Sequence, residues 1–157
     1  MLITLQNKDF NIKNINVLDR VPNTIIKDSD FHKIIYDENE LTINGIYLYF
    51  SLKNIKAERS YNKIKFTFNF QINKEIIYNL IRCEKEIIDY IEYNNIITNK
   101  TPIYHINDIL NGCTFKVFGE KYCTSKFILK ISGIWSNEYQ YGVSYKFFCV
   151  TNKNDNL

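Results

Sequence analysis

Lysine and tyrosine side chains recur at every second position in several apolar segments of the chain. In "GIYLYFSLK", Tyr47, Tyr49 and Lys53 alternate with aliphatic and phenylalanine residues, and "NKIKFTF" places Lys63 and Lys65 in the same way. Period-two alternation is typical of a β-strand with one buried and one solvent-facing side. Exposed rings can stack on unpaired bases, while neighbouring ammonium groups neutralise phosphates. The pattern therefore predicts binding of single-stranded nucleic acid without strong sequence preference.

Two sets of candidate binding residues follow from this pattern. The candidates for phosphate contacts are lysines on predicted strands: Lys53, Lys63, Lys65, Lys126, Lys130 and Lys146. The candidates for base stacking are aromatic residues of the same segments: Tyr47, Tyr49, Tyr141, Tyr145 and Trp135. Two other functions fit the same residues. One is a protein-interaction or assembly module whose exposed tyrosines dock a partner chain, and the other is an RNA-binding regulator of the same fold.

Signatures of catalysis or metal binding are absent from the sequence. It contains no nucleophile elbow, phosphate-binding glycine loop or zinc-protease motif, and His32 and His105 are isolated. The acidic residues in "CEKEIIDYIE" have the spacing of a solvated helix face. The cysteines form no CxxC pair and are widely spaced: Cys83, Cys113, Cys123 and Cys149. We therefore expect no catalytic residues, no metal and no cofactor, and we do not expect an enzyme.

Composition gives weaker constraints on the partner and the compartment. The net charge is +3 and the pI is about 8.5. Strongly basic nucleic-acid-binding domains typically have a pI above about 9, so this chain is less basic than they are. No apolar run approaches the ~20 residues that a bilayer requires, and the N-terminus lacks the order of a signal peptide. We expect an intracellular protein with reduced thiols and no membrane partner.

The segments that must position these residues are strands around one helix. Apolar residues recur at intervals of three and four over "NKEIIYNLIRCEKEIIDYIEY", which predicts a helix with Asn73 as its N-cap. Before it, the strands around residues 46–53 and 63–70 are predicted to pair as an antiparallel hairpin across the linker "KAERSYN". That pairing would place Tyr47 and Tyr49 beside Lys63 and Lys65.

The order of elements predicts the fold class. Three more strand candidates follow the helix, in "CTFKVF", "TSKFILKISGIW" and "QYGVSYKFFCV". Strands, one main α-helix and strands again indicate a mainly β protein, an OB-fold-like antiparallel barrel. We expect a single domain over residues 1–157, with weakly patterned strands in residues 1–40 and a flexible tail at residues 151–157.

Gly133 and Trp135 stand out in a chain with five glycines and one tryptophan. A glycine inside a strand usually marks a bulge or the close approach of another backbone. If the register continues through Gly133, Trp135 shares a face with Phe127 and Leu129, whereas a bulge would reverse it. We expect a core tryptophan at a barrel corner in preference to a base-stacking one.

The block "LKISGIWSNEYQYGVSYKF" resembles the C-terminal strand pair of single-stranded-DNA-binding proteins from nucleocytoplasmic large DNA viruses. The matching positions are Leu129, Lys130, Ile131, Gly133, Ile134, Trp135, Tyr141, Gly142, Tyr145, Lys146 and Phe147. The segment "LKNIKAERSYNKIKFTF" and the helix after it are similar in order and character, so the resemblance covers about residues 41–150.

The resemblance implies an OB-like fold that coats single-stranded DNA without catalysis. It implies a role in viral DNA replication, recombination or repair, in the host-cell replication compartment. Single-stranded DNA is the expected partner, and replication proteins are candidate partners as well. The oligomeric state stays open, with a homodimer as one option.

Overall fold

The computed structural model describes residues 4–118 and 125–150, which form a mainly β fold with one main helix. The tail expected at residues 151–157 lies outside the described residues. The helices are α1 (Lys74–Tyr93) and α2 (His105–Asn111), and the strands in chain order are β1 (Leu5–Gln6), β2 (Ile15–Val17), β3 (Val21–Pro22), β4 (Asp30–Glu38), β5 (Leu41–Asn44), β6 (Ile46–Ser51), β7 (Lys56–Ser60), β8 (Lys63–Thr67), β9 (Thr101–Ile103), β10 (Thr114–Phe118), β11 (Lys126–Ser136) and β12 (Gln140–Cys149).

Strand β11 is the centre of the larger of two open sheets. One edge of β11 pairs antiparallel with β12, from Phe127 opposite Cys149 to Ser136 opposite Tyr141. Its other edge changes partner: the first half pairs with β6 and the second half with β4, both antiparallel. Strand β1 extends the sheet beyond β6 and β9 extends it beyond β12, in both cases parallel.

The core lies between this sheet, the smaller sheet and α1. The smaller sheet has the order β10–β8–β7. Phenylalanine rings from both sheets meet with centroids 4.7 to 6.2 Å apart: Phe50, Phe66, Phe115, Phe127 and Phe147. Helix α1 contributes the predicted apolar stripe, which is fully buried at Ile77, Leu80, Ile87, Ile88 and Ile91. Among the described residues, no helix is long and apolar enough to span a bilayer.

The predicted hairpin between residues 46–53 and 63–70 is wrong. Strand β6 pairs with β1 and β11, whereas β8 lies in the smaller sheet between β7 and β10. The presumed linker is itself β7, which turns back into β8 through Tyr61 and Asn62. All five side chains of β7 are exposed, so the strand lacks the alternation that would have revealed it.

Asn73 holds the N-cap position that was predicted for it, but its side chain makes no capping hydrogen bond. Its amide instead accepts from the Lys53 N–H at 2.8 Å and donates to the Lys53 carbonyl at 3.0 Å. The buried Asn73 therefore ties the chain that follows β6 to the start of α1.

A bulge in β11 reverses the pleat at Ser132. The register of β11 with β12 shifts between Ile131 and Gly133. Beyond it, Ile134 pairs with the buried Val143 and Trp135 pairs with Gly142. The expectation of a core tryptophan is therefore wrong. Trp135 is half-buried on the other side of the sheet, where its ring stacks on His105 at 6.0 Å.

Gly133 is required by close packing, as its place inside a strand predicted. A Cβ atom at Gly133 would lie 2.2 Å from the His32 carbonyl oxygen and 2.5 Å from Cζ of Phe31. Strand β4 and the Phe31 ring therefore approach the β11 backbone at a distance that only glycine permits.

Gly133→Ala is expected to lower the free energy of unfolding by about 1 to 3 kcal/mol, because the new methyl group would overlap the His32 carbonyl oxygen and the Phe31 ring. Urea denaturation measures the effect. The control is Gly112→Ala at the exposed end of α2, where the nearest atom to the new Cβ is 3.2 Å away, and its cost should stay below about 1 kcal/mol. Equal costs for the two variants would contradict the close approach.

Candidate nucleic-acid interface

The side of β6, β11 and β12 that points away from the phenylalanine core is called the outer face here. Because side chains alternate along a strand, burial of Phe127 and Leu129 on β11 and of Phe147 on β12 turns their neighbours outward. The outer face carries Tyr47, Tyr49, Lys126, Ile128, Lys130, Trp135, Ser144, Lys146 and Phe148.

Two rows of side chains cross the outer face. In the first row Lys130 of β11 stands opposite Tyr47 of β6 and Lys146 of β12. In the second row Ile128 stands between Tyr49 and Phe148. The first row therefore has a ring at its β6 end, Lys130 in the middle and Lys146 at its β12 end, and the second row has a ring at each end.

A depression of about 410 Å³ lies between the two rows and is lined by members of both. Its lining consists of Tyr47, Ile128, Lys130, Phe148, Cys149 and Val150. Ile128 forms an apolar floor that is only 8% exposed, while the half-buried rings of Tyr47 and Phe148 stand on opposite strands. A flat aromatic ligand can contact a ring and aliphatic carbon here beside an ammonium group.

Three lysine ammonium groups lie close to the rings of Tyr47, Phe118 and Phe148. The Nζ atom of Lys130 lies 5.5 Å from the Tyr47 ring centroid, and that of Lys146 lies 5.2 Å from both Phe118 and Phe148. The Nζ atom of Lys63 on β8 also lies near Phe118, 4.4 Å from its ring centroid. Within the described part of the chain, none of these lysines forms an ion pair. Their charges are thus available to an anion.

Strand β10 joins this surface without pairing to β12. The two strands are in contact, and a cleft of about 420 Å³ between them is lined by Lys116, Phe118 and Lys146, among others. No ladder joins β10 to β12 among the described residues. The outward side of β10 therefore continues the outer face across this cleft.

The structure places five of the predicted residues on the outer face: Tyr47, Tyr49, Lys126, Lys130 and Lys146. Of these, Lys126 lies beyond the two rows, at the start of β11. Trp135 lies farther along the same face, and Lys63 reaches its margin through Phe118. Lys65 lies on the smaller sheet, opposite Glu58 and Lys116. Lys53 lies beyond the end of β6, next to the start of α1. Neither belongs to the two rows.

Tyr141 and Tyr145 lie on the inner side of β12. Tyr141 is buried, and its hydroxyl donates to Oε1 of Glu92 at 3.1 Å. Burial beside the Glu92 carboxylate raises the pKa of Tyr141 well above its ordinary value. The ring of Tyr145 packs edge-on against Phe147 at 5.8 Å. Buried Tyr141 is therefore not available for base stacking and is not retained as a candidate, whereas half-buried Tyr145 lines the cleft between β10 and β12.

Two residues of the outer surface were missed from the sequence. Phe148 has the same parity as Lys146 along β12, and Phe118 has the same parity as Lys116 along β10. Those alternations were the available signal. Because phenylalanine is usually a core residue, neither Phe148 nor Phe118 was included among the candidates.

Glu84 of α1 is a buried carboxyl, although the spacing of the helix acids predicted a solvated position. It accepts the Ile106 N–H at 3.1 Å and the Asn107 N–H at 2.7 Å, at the start of α2. Burial raises its pKa from 4.5 to about 7; the nearby Asp108 adds to the rise and the two N–H donors oppose it. Glu84 joins the two helices and has no access to the outer face.

Metal-ligating side chains are not clustered in the part of the chain that the structure describes. Across the described ranges, no three His, Cys, Asp or Glu side chains are grouped so that they could hold an ion. Cys83 and Cys113 are free thiols, but Cys149 is disulfide-bonded, so the expectation that all the cysteines are reduced is wrong for this residue.

In comparisons with known proteins, no family model, curated protein or solved structure matches this chain. The geometry of the outer face is therefore the main source of information on what the protein binds.

Because the pKa of Glu84 is raised in the folded protein, we expect its contribution to the free energy of unfolding to rise as the pH falls from 8 to 5. A carboxyl whose pKa is higher in the folded state, about 7 against 4.5, binds its proton more tightly when folded, so protonation stabilises the fold. The gain should be about 2 to 3 kcal/mol in the free energy of unfolding, measured by urea denaturation at both pH values.

The control for this effect is Glu84→Gln, which stays neutral and should lack that part of the pH dependence. Tyr145 and Cys83 also face this region, but their pKa values are raised by burial, so both stay protonated between pH 5 and 8. Asp108 is present in both proteins. Identical pH profiles for wild type and variant would contradict the assignment.

Proposed function

We propose that the protein binds single-stranded DNA on its outer face without sequence preference. The observation that carries the proposal is the pair of rows in which Tyr47, Lys130 and Lys146 adjoin Tyr49, Ile128 and Phe148. Rings supply stacking surfaces, worth about 1 to 3 kcal/mol per base, and the lysine ammonium groups, which form no ion pair with the described residues, supply phosphate contacts. Both components lie on one continuous surface.

Single strands suit this surface better than duplexes. The bases of a duplex are already stacked and paired, so the rings could reach them only after strand opening. The rows offer ring faces, aliphatic carbon and ammonium groups, which do not distinguish one base from another. Non-specific binding follows from that chemistry.

The OB-fold-like barrel and the role in viral DNA replication, recombination or repair belong to the same proposal. The contact between β10 and β12, which brings the two sheets edge to edge, supports a barrel-like arrangement. The resemblance of residues 129–147 to viral single-stranded-DNA-binding proteins supports the role. Binding at the outer face requires neither, because all of its central residues lie on three adjacent strands.

The replacement of Lys130 and Lys146 by alanine is expected to weaken binding of a labelled dT oligomer. Loss of two phosphate contacts should also reduce the slope of log K against log salt by about 1.4, at about 0.7 per contact for single strands. Fluorescence anisotropy over a salt series measures both quantities.

The matched control is Lys8→Ala with Lys13→Ala, two exposed lysines on the α1 side of the molecule. Its affinity and salt slope should equal those of wild type within about twofold. The proposal fails if wild type shows no binding at low salt, which would favour the protein-interaction module. A large preference for rU over dT in competition would instead indicate an RNA-binding protein, because only contacts to the 2′-hydroxyl produce it.

Tyr47→Ala and Phe148→Ala should each weaken dT binding by about 1 to 3 kcal/mol through loss of a stacking surface. Both rings are half-buried on the outer side of the sheet, so circular dichroism melts should show a folded protein in each case. The control is Tyr93→Ala at the end of α1, where the ring is 87% exposed and remote from both rows. An equal loss in this variant would contradict the location of the site.

A further inference from the structure

A second pocket opens on the outer face, on the opposite side of the lysine pair from the depression. Its volume is about 270 Å³, and it is walled by residues 21–26 and floored by Phe31, Ser132 and Ser144. Ser144 and Phe148 lie two residues to either side of Lys146 on the outer side of β12, each about 7 Å from it along the strand. Lys146 therefore stands between the pocket and the depression.

The bulge and Gly133 together form the floor of this pocket. The unpaired Ser132 turns its hydroxyl toward the Ser144 carbonyl, to which it donates at 3.3 Å. Since Gly133 has no side chain, the Phe31 ring lies directly over the β11 backbone. A ring and two serine side chains thus share one small cavity, which suits a planar ligand with polar edges.

Two isoleucine side chains in the wall of the pocket, Ile25 and Ile26, are exposed to solvent. Asn23 Oδ1 accepts the N–H groups of Ile25 and Ile26 at 3.0 and 3.3 Å, and the Ser29 hydroxyl donates to the Ile26 carbonyl at 2.8 Å. Ile25 is 92% exposed and Ile26 is 46% exposed. Exposure of these two isoleucine side chains to water is unfavourable in free energy. A ligand that covers them would therefore gain hydrophobic free energy on binding.

We infer that this pocket holds one base of the bound strand, an inference that rests on the proposed function. With a phosphate at Lys130 and Lys146, one neighbouring base lies over the depression and another enters the pocket to contact Phe31. The volume is just under the usual range of about 300 to 1,000 Å³ for small-molecule pockets, which fits a single base. Serine hydroxyls both donate and accept hydrogen bonds, so the pocket accommodates any base.

The test is photocrosslinking of wild type and two variants to dT oligomers that carry one 5-iodouracil, with mass spectrometry of the crosslinked peptides. Ser144→Phe fills the pocket with a ring from its floor. The control is Ser60→Phe, which adds the same ring at an exposed position of β7 in the smaller sheet. Wild type and the control should crosslink at Phe31 and also at Tyr47 or Phe148.

Ser144→Phe should lose the Phe31 crosslink, keep the crosslinks at Tyr47 or Phe148, and bind dT about 5- to 150-fold more weakly than the control, the equivalent of one lost stack. If wild type binds dT and crosslinks only at Tyr47 or Phe148, the inference is wrong and the proposed function stands. Persistence of the Phe31 crosslink in Ser144→Phe also overturns it. Absence of any binding by wild type removes the proposed function and the inference together.

Discussion

Burial of phenylalanine between the two sheets is the constraint on which the rest of the structure depends. Phe127 and Phe147 face Phe66 and Phe115 across the core, and burial of each ring contributes about 1.5 to 3 kcal/mol. A shift of one residue in either strand would expose these rings and bury lysines. The same interaction that stabilises the fold therefore sets Lys130, Lys146 and their aromatic neighbours on the outside.

The bulge at Ser132 reconciles two demands on β11. Its pairing with β6 ends at Ile131 and its pairing with β4 begins at Gly133, so the strand changes neighbours at the point where its pleat reverses. The reversal sends Ile134 into the core and Trp135 outward. Ser132 also lines the second pocket together with Phe31. One irregular residue therefore shapes both the sheet and this pocket.

The sequence allowed the local structure to be predicted better than the pairing. Period-two alternation gave the correct side for Tyr47, Tyr49, Lys130 and Lys146, because alternation is a property of one strand. Residues of β6 pair with residues of β11 that lie 75 to 85 positions farther along the chain, and no local pattern encodes that choice. Glu84 was misjudged for the same reason, since its burial depends on α2, which the chain reaches only later. Tyr141 and Tyr145 share parity with Val143 and Phe147, and that signal correctly indicates the inner side.

In the proposed complex, a base that stacks on Tyr47 or Phe148 would displace the cation–π contact of the neighbouring lysine. The ammonium group of Lys130 lies over the Tyr47 ring, a contact worth about 0.5 to 1 kcal/mol at an exposed site. A base on that ring would gain about 1 to 3 kcal/mol of stacking and would bring a phosphate to the displaced ammonium group. These magnitudes would favour the exchange, in which the lysine moves from a ring to an adjacent phosphate. Lys146 can make the same exchange at Phe148, so the contacts that order both lysines in the free protein also place them where phosphates would arrive.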